Sequence, residues 1–123
     1  MTTWLSKQLG AQTEELACHY LTQQGLRLIT RNYRCKLGEI DLIMQDGEQL
    51  VFVEVRYRKQ TAFGSSAESV NYFKQQKLIK AASYYLQTHQ LYNTQACRFD
   101  VIAVAKQTDS FKLEWLKNAF QVS

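Results

Sequence analysis

Asp46-Gly47 separates two runs rich in apolar residues, 38–44 and 49–58, and this pair constrains the chain more than any other feature. Asp and Gly tolerate the positive φ that a tight turn demands, so residues 38–58 are predicted to form a β-hairpin. A loop of two residues, or of four about the same centre, sets one register. It puts Asp41 opposite Phe52 and Glu39 opposite Glu54. Side chains alternate between the faces of a strand. Ile40, Leu42, Met44, Val51, Val53 and Val55 then make one wholly apolar face. Glu39, Asp41, Ile43, Leu50, Phe52, Glu54 and Arg56 share the other, which is apolar near the turn and charged far from it. In this register Asp41 and Glu54 are diagonal neighbours, roughly 7–8 Å apart at the backbone. Two such carboxylates can lean together onto one cation or stand as ordinary outward charges. The hairpin alone leaves both readings open.

The flanking sequence supplies a frame. Residues 7–24 carry Leu9, Thr13, Leu16, Ala17, Tyr20, Leu21 and Gln24 on one helical stripe, with Gly25 as the stop. Glu14 falls on the rim of that stripe. It is either a surface acid favoured by the helix dipole or a carboxylate aimed over the sheet. Residues 26–34 read as a strand, giving a three-strand meander with the hairpin. Residues 58–69 form the longest loop, and 70–89 a second helix. Lys74 lies near the middle of that helix's apolar side. Its stem either snorkels past the core edge or holds a cation beside acids or phosphate. Residues 98–105 are a nearly continuous apolar strand, expected inside the sheet and parallel to the strand of Glu54. A last strand covers 111–116, followed by a tail. The fold class is α/β: helix, three strands, helix, two strands, with a mixed five-stranded sheet flanked by helices.

At 123 residues, with 46% hydrophobic and 21% charged content, the chain is expected to form one domain spanning residues 1–123 with a real core. No apolar run approaches the roughly 20 residues of a membrane helix, so no membrane partner is expected. Residues 1–7 lack the apolar core of a signal peptide. Cys18, Cys35 and Cys97 are odd in number and widely spaced, which suggests neither a zinc site nor a disulfide framework and fits a reducing cytoplasm. A net charge of +4 permits an anionic partner without requiring one. Arg27, Arg31, Arg34, Lys36, Arg58 and Lys59 are the candidate phosphate contacts.

Asp41, Glu54 and the Val55 carbonyl offer the hard oxygen ligands that Mg2+ prefers, with positions left for water and phosphate. Arg56, two residues past Glu54, points to the same face and can stabilise charge on a phosphoryl group. Asp41 followed by Glu54-Val55-Arg56 resembles the PD-(D/E)XK nuclease pattern. A closer likeness spans most of the chain. Residues 10–17, Arg31-Asn32-Tyr33-Arg34, Gly38-Glu39-Ile40-Asp41-Leu42-Ile43, Val51-Phe52-Val53-Glu54-Val55-Arg56, Lys74 and Arg98-Phe99-Asp100-Val101-Ile102 resemble, in order, the YraN-like family of small bacterial proteins.

That resemblance implies a restriction-endonuclease-like fold, similar to Holliday junction resolvases, and nucleic-acid binding, with DNA ahead of RNA. It implies Asp41 and Glu54 as ligands of Mg2+ or Mn2+. It also implies Glu14 as the helix acid near the metal and Lys74 as the basic position on the second helix. Arg56 stands where the nuclease pattern has Lys, and Thr13 where a Gly is usual. The readings are a nuclease, a nucleic-acid-binding module without turnover, and a protein-interaction role. Related resolvases dimerise, but no heptad or interface stripe is visible, so a homodimer stays open.

Overall fold

The computed structural model describes residues 3–58, 70–91 and 94–121. They form α1 (Thr3–Gln23), β1 (Arg27–Cys35), β2 (Gly38–Asp46), β3 (Gln49–Arg58), α2 (Tyr72–Thr88), β4 (Ala96–Lys106) and β5 (Phe111–Phe120). The strands make one sheet in the order β1-β2-β3-β4-β5. All neighbours are antiparallel except β3 and β4, which pair in parallel as the intervening helix requires. This is the mixed α/β arrangement expected from the sequence. Of the long loop expected at 58–69, residues 59–69, Lys59 included, lie outside the described residues.

Each helix covers one face of the sheet. From α1, Ala17, Cys18 and Leu21 pack on Leu42, Met44, Val51, Val53, Ile102 and Val104. From α2, Leu78, Ala81, Ala82, Tyr85 and Leu86 pack on Ile43, Phe52, Phe99 and Val101. With both faces covered, β3 and β4 carry apolar side chains on both sides, and strict apolar/polar alternation is lost. Among the described residues no helix is long and apolar enough to cross a membrane. The three cysteines are free thiols.

Local chemistry explains where the elements stop and how close they lie. α1 ends at Gly25, whose φ is 103°. Leu26 N donates to Leu21 O at 3.1 Å and Gly25 N to Thr22 O at 3.0 Å, the paired bonds of a Schellman motif. Leu26 and Leu21 then meet in the core under α1. Gln24, expected on the apolar stripe, is exposed because the chain has already left the helix. Lys77, which helical spacing with Leu78, Ala81 and Ala82 would put on the apolar side of α2, is likewise exposed. At the β1–β2 turn, a Cβ on Gly38 would lie 3.1 Å from the Lys77 carbonyl oxygen, so glycine is what lets α2 lie this close.

The hairpin register differs from expectation. The last pair before the turn is Asp46↔Gln49, followed inward by Met44↔Val51 and Leu42↔Val53. The loop is therefore Gly47-Glu48, with positive φ only at Gly47 (61°), the arrangement of a type II′ turn. Gln45 Nε2 donates to Gly47 O at 2.9 Å and steadies it. Relative to a loop on Asp46-Gly47, the pairing moves by two residues. Phe52 faces Ile43 rather than Asp41, and Glu39 lies opposite Arg34 on β1. The last strand is also longer than expected, since residues 117–120 continue β5 past a bulge at Asn118 (φ 52°).

Candidate functional site

The corrected register carries Asp41 into the row of Glu54, where the two strands part. The β2–β3 ladder stops at Leu42↔Val53. One step further, Asp41 Oδ2 accepts the Val55 backbone N–H at 2.8 Å, so a side chain takes up the donor where the ladder ends. The β1–β2 ladder is interrupted in the same place. It pairs Arg31↔Leu42 and Tyr33↔Ile40 and skips Asn32, whose φ is 51°. Asn is among the few residues that adopt this left-handed conformation readily. The pleat of β2 swivels here. Ile40, expected on the face of Leu42 and Met44, packs under α2 instead, while Leu42 stays under α1.

Glu54 is buried, with only 5% of its surface exposed. Lys74 Nζ and Arg56 Nη1 both lie 3.4 Å from its Oε2. Lys74 is thus a cation held beside an acid. Its position is set by the Asn71 cap, whose side chain accepts Lys74 N at 2.8 Å at the start of α2. Burial first, and the neighbouring Asp41 second, push the Glu54 carboxyl up to about 7 against the opposing pull of Lys74 and Arg56. Asp41 is also raised, chiefly by burial, while the Val55 N–H and a hydrogen bond with Glu54 hold it down. Both carboxyls of this pair are therefore harder to ionise than free ones. Two close acids in a dry site behave this way because burial disfavours each charge and each carboxylate disfavours the other, by more than the two cations offset.

Glu14 approaches from α1. Its carboxyl is raised by partial burial and by Asp41, and lowered by a hydrogen bond with Asn32. All five residues singled out from the sequence, Glu14, Asp41, Glu54, Arg56 and Lys74, therefore act on one locus, linked by contacts or by charge. Asn32 is a further member that sequence reasoning does not find. The available signal is an Asn, a poor strand former, inside the Arg31-Asn32-Tyr33-Arg34 segment. Among the described residues no three His, Cys, Asp or Glu side chains gather as a ready metal cluster. Asp41 and Glu54 are the pair able to offer oxygens to a hard divalent ion, the remaining positions falling to water or substrate.

Two other sequence features lie elsewhere. Arg31 pairs with Glu15 on the outer side of α1. Asp100 is fully buried at the turn end of the sheet. It accepts Arg98 Nε at 3.0 Å, Trp115 Nε1 at 2.9 Å and Asn118 N at 2.9 Å. Arg98 reaches on to Asp46 at 2.9 Å and to the Gln49 side chain at 2.8 Å. This network ties the hairpin turn to β4 and to the β5 bulge, and its polar groups are spent on one another.

The family model for the uncharacterised protein family UPF0102 matches residues 13–104, a span that holds all of the candidate site. A UPF0102 protein of Nitrosococcus oceani is 50% identical over 113 residues, 92% of this chain and 91% of the relative. One from Stutzerimonas stutzeri is 49% identical over 116 residues, covering 94% of this chain and 97% of the relative. One from Coxiella burnetii is 46% identical over 118 residues and 96% of each chain. With likeness of this depth along nearly the whole chain, the protein belongs to the UPF0102 family.

Proposed function

We propose that the protein hydrolyses phosphodiester bonds in nucleic acid, DNA ahead of RNA, with Mg2+ or Mn2+, on a restriction-endonuclease-like fold. The observation that carries this reading is the convergence of Asp41, Glu54, Arg56 and Lys74 at the point where β2 and β3 separate. A buried acid pair whose carboxyls both resist ionisation is a poor structural element and a good receptor for a divalent ion, which would favour the ionised form of both. An ion held there would polarise a phosphoryl oxygen and lower the pKa of a coordinated water.

The chain's own groups have separable tasks. Asp41 keeps Oδ2 on the Val55 N–H, which leaves its other oxygen for the ion. Glu54 supplies the second carboxylate, and Glu14 adds negative charge from α1. Arg56 brings a guanidinium, a group suited to stabilising charge on the phosphoryl group and not to passing on a proton. Lys74 places a second cation on the same Glu54 oxygen.

Arg56 in the position where the nuclease pattern has Lys favours, as second reading, a nucleic-acid-binding module without turnover. A cleavage assay separates the two. Single-stranded, duplex and branched DNA are incubated with Mg2+ or Mn2+ and with wild type or Glu54→Ala. Metal-dependent cleavage lost in the variant is the expected result. Binding without cleavage selects the second reading. Cleavage equal in both proteins refutes the site.

A further inference from the structure

Beside the acid pair, the β1–β2 turn and the first turns of α2 enclose an open cavity of about 440 Å3. This is within the roughly 300–1,000 Å3 typical of ligand sites. Arg34, Lys36, Lys74 and Lys77 line it, against a single acid, Glu39. Arg34 holds Glu39 at 3.4 Å with both side chains largely exposed, so that pair is weak and easily exchanged for a stronger anion. Lys74 belongs to both places, lining the cavity while lying 3.4 Å from Glu54. Just outside, Tyr72 and Phe73 open α2 with 70% and 69% of their surfaces exposed. Lys77 Nζ sits 4.9 Å from the centre of the Phe73 ring.

We propose that this cavity seats the sugar-phosphate backbone of an unpaired nucleic-acid strand, next to the phosphate that would lie at Asp41 and Glu54, with a base resting on Phe73 or Tyr72. The inference rests on the nucleic-acid reading above and adds the substrate form. Charge complementarity selects a polyanion. The rings select an unpaired strand, because duplex bases stack on each other while an unpaired base is free to stack on an aromatic side chain beside a basic groove. Gly38 sets the width, since it allows α2 to approach the turn that carries Lys36.

The test is fluorescence anisotropy with a labelled single-stranded oligodeoxythymidylate and with a blunt duplex, without divalent metal, across a salt series. Wild type should bind the single strand at least tenfold tighter than the duplex. Lys36→Ala with Lys77→Ala should shallow the salt slope for the single strand by about 1.4, at roughly 0.7 for each phosphate no longer neutralised. Phe73→Ala with Tyr72→Ala should weaken single-strand binding by about five- to a hundredfold and leave duplex binding unchanged. All four side chains reach the surface, so melting temperatures should stay at the wild-type value and report folding. Wild-type affinity and slope in the lysine variant overturn the cavity as the seat. Equal affinity for single strand and duplex overturns the unpaired-strand assignment. Wild type that binds no nucleic acid at low salt overturns this inference together with the reading beneath it, whereas the two preceding outcomes leave that reading standing.

Discussion

Replacing Glu54 by Gln should stabilise the metal-free protein above neutral pH. The Glu54 carboxyl rises from an ordinary value near 4.5 to about 7 in the fold. Between those values the folded state binds more protons than the unfolded one, so stability falls as pH rises through that window. Above pH 7 the buried group is ionised at a cost of about 3 kcal/mol. This figure already includes the attraction of Lys74 and Arg56, which act to lower the carboxyl. Glutamine keeps the shape and a donor toward Asp41 but never ionises. Glu54→Gln should therefore match wild type at pH 4 and exceed it by about 3 kcal/mol at pH 8, roughly 10 °C in melting temperature. Asp41 and Glu14, both raised, add wild-type slope of the same sign. Thermal unfolding followed by circular dichroism in EDTA from pH 4 to 8 measures the difference. A variant that tracks wild type at every pH, or is less stable at pH 8, would mean that Glu54 sits ionised and contented between its two cations.

Four further outcomes are expected. Mg2+ or Mn2+ should raise the wild-type melting temperature, and Asp41→Asn, which keeps an acceptor for the Val55 N–H, should abolish that rise in a thermal-shift titration. Asp100→Ala should cost about 3–5 kcal/mol in urea unfolding, because Arg98 is left buried without its main partner. Gly38→Ala should cost about 1–3 kcal/mol and weaken oligonucleotide binding as α2 is pushed off the turn. Asn71→Ala should remove about 1 kcal/mol, read as a drop of a few degrees in melting temperature, by uncapping α2.

The order of elements is legible in the sequence because each rests on local signals. Gly25 ends α1 as its position suggests, and the long apolar run of β4 lies inside the sheet beside β3. The hairpin register is not legible to the residue. Asp46-Gly47 accommodates a turn starting at either member, and the type II′ geometry with Gly first moves the pairing by two. The swivel at Asp41 is hidden for a different reason. It depends on Asn32 from another strand, and alternation along β2 alone carries no trace of it. Lys74 stands out as odd on its helix, but its pairing with Glu54 needs α2 to be laid across β3. The Arg98–Asp46 bond joins residues 52 apart, and no spacing rule reaches that far.

The Val55 N–H held by Asp41 spans only 14 residues of chain, all within one hairpin. The acid pair therefore closes across a short loop, at little entropic cost. Its cation from α2 stands 20 residues past Glu54 in the chain, so the Lys74 contact closes a longer loop than the acid pair does. If the hairpin closes before α2 docks, two crowded carboxylates stand for a time without Lys74. Mild acid, which neutralises them, should speed refolding, and the Lys74 contact should form on the native side of the barrier. The residues of the candidate site would thus be the ones that set the pH dependence of how fast this protein folds.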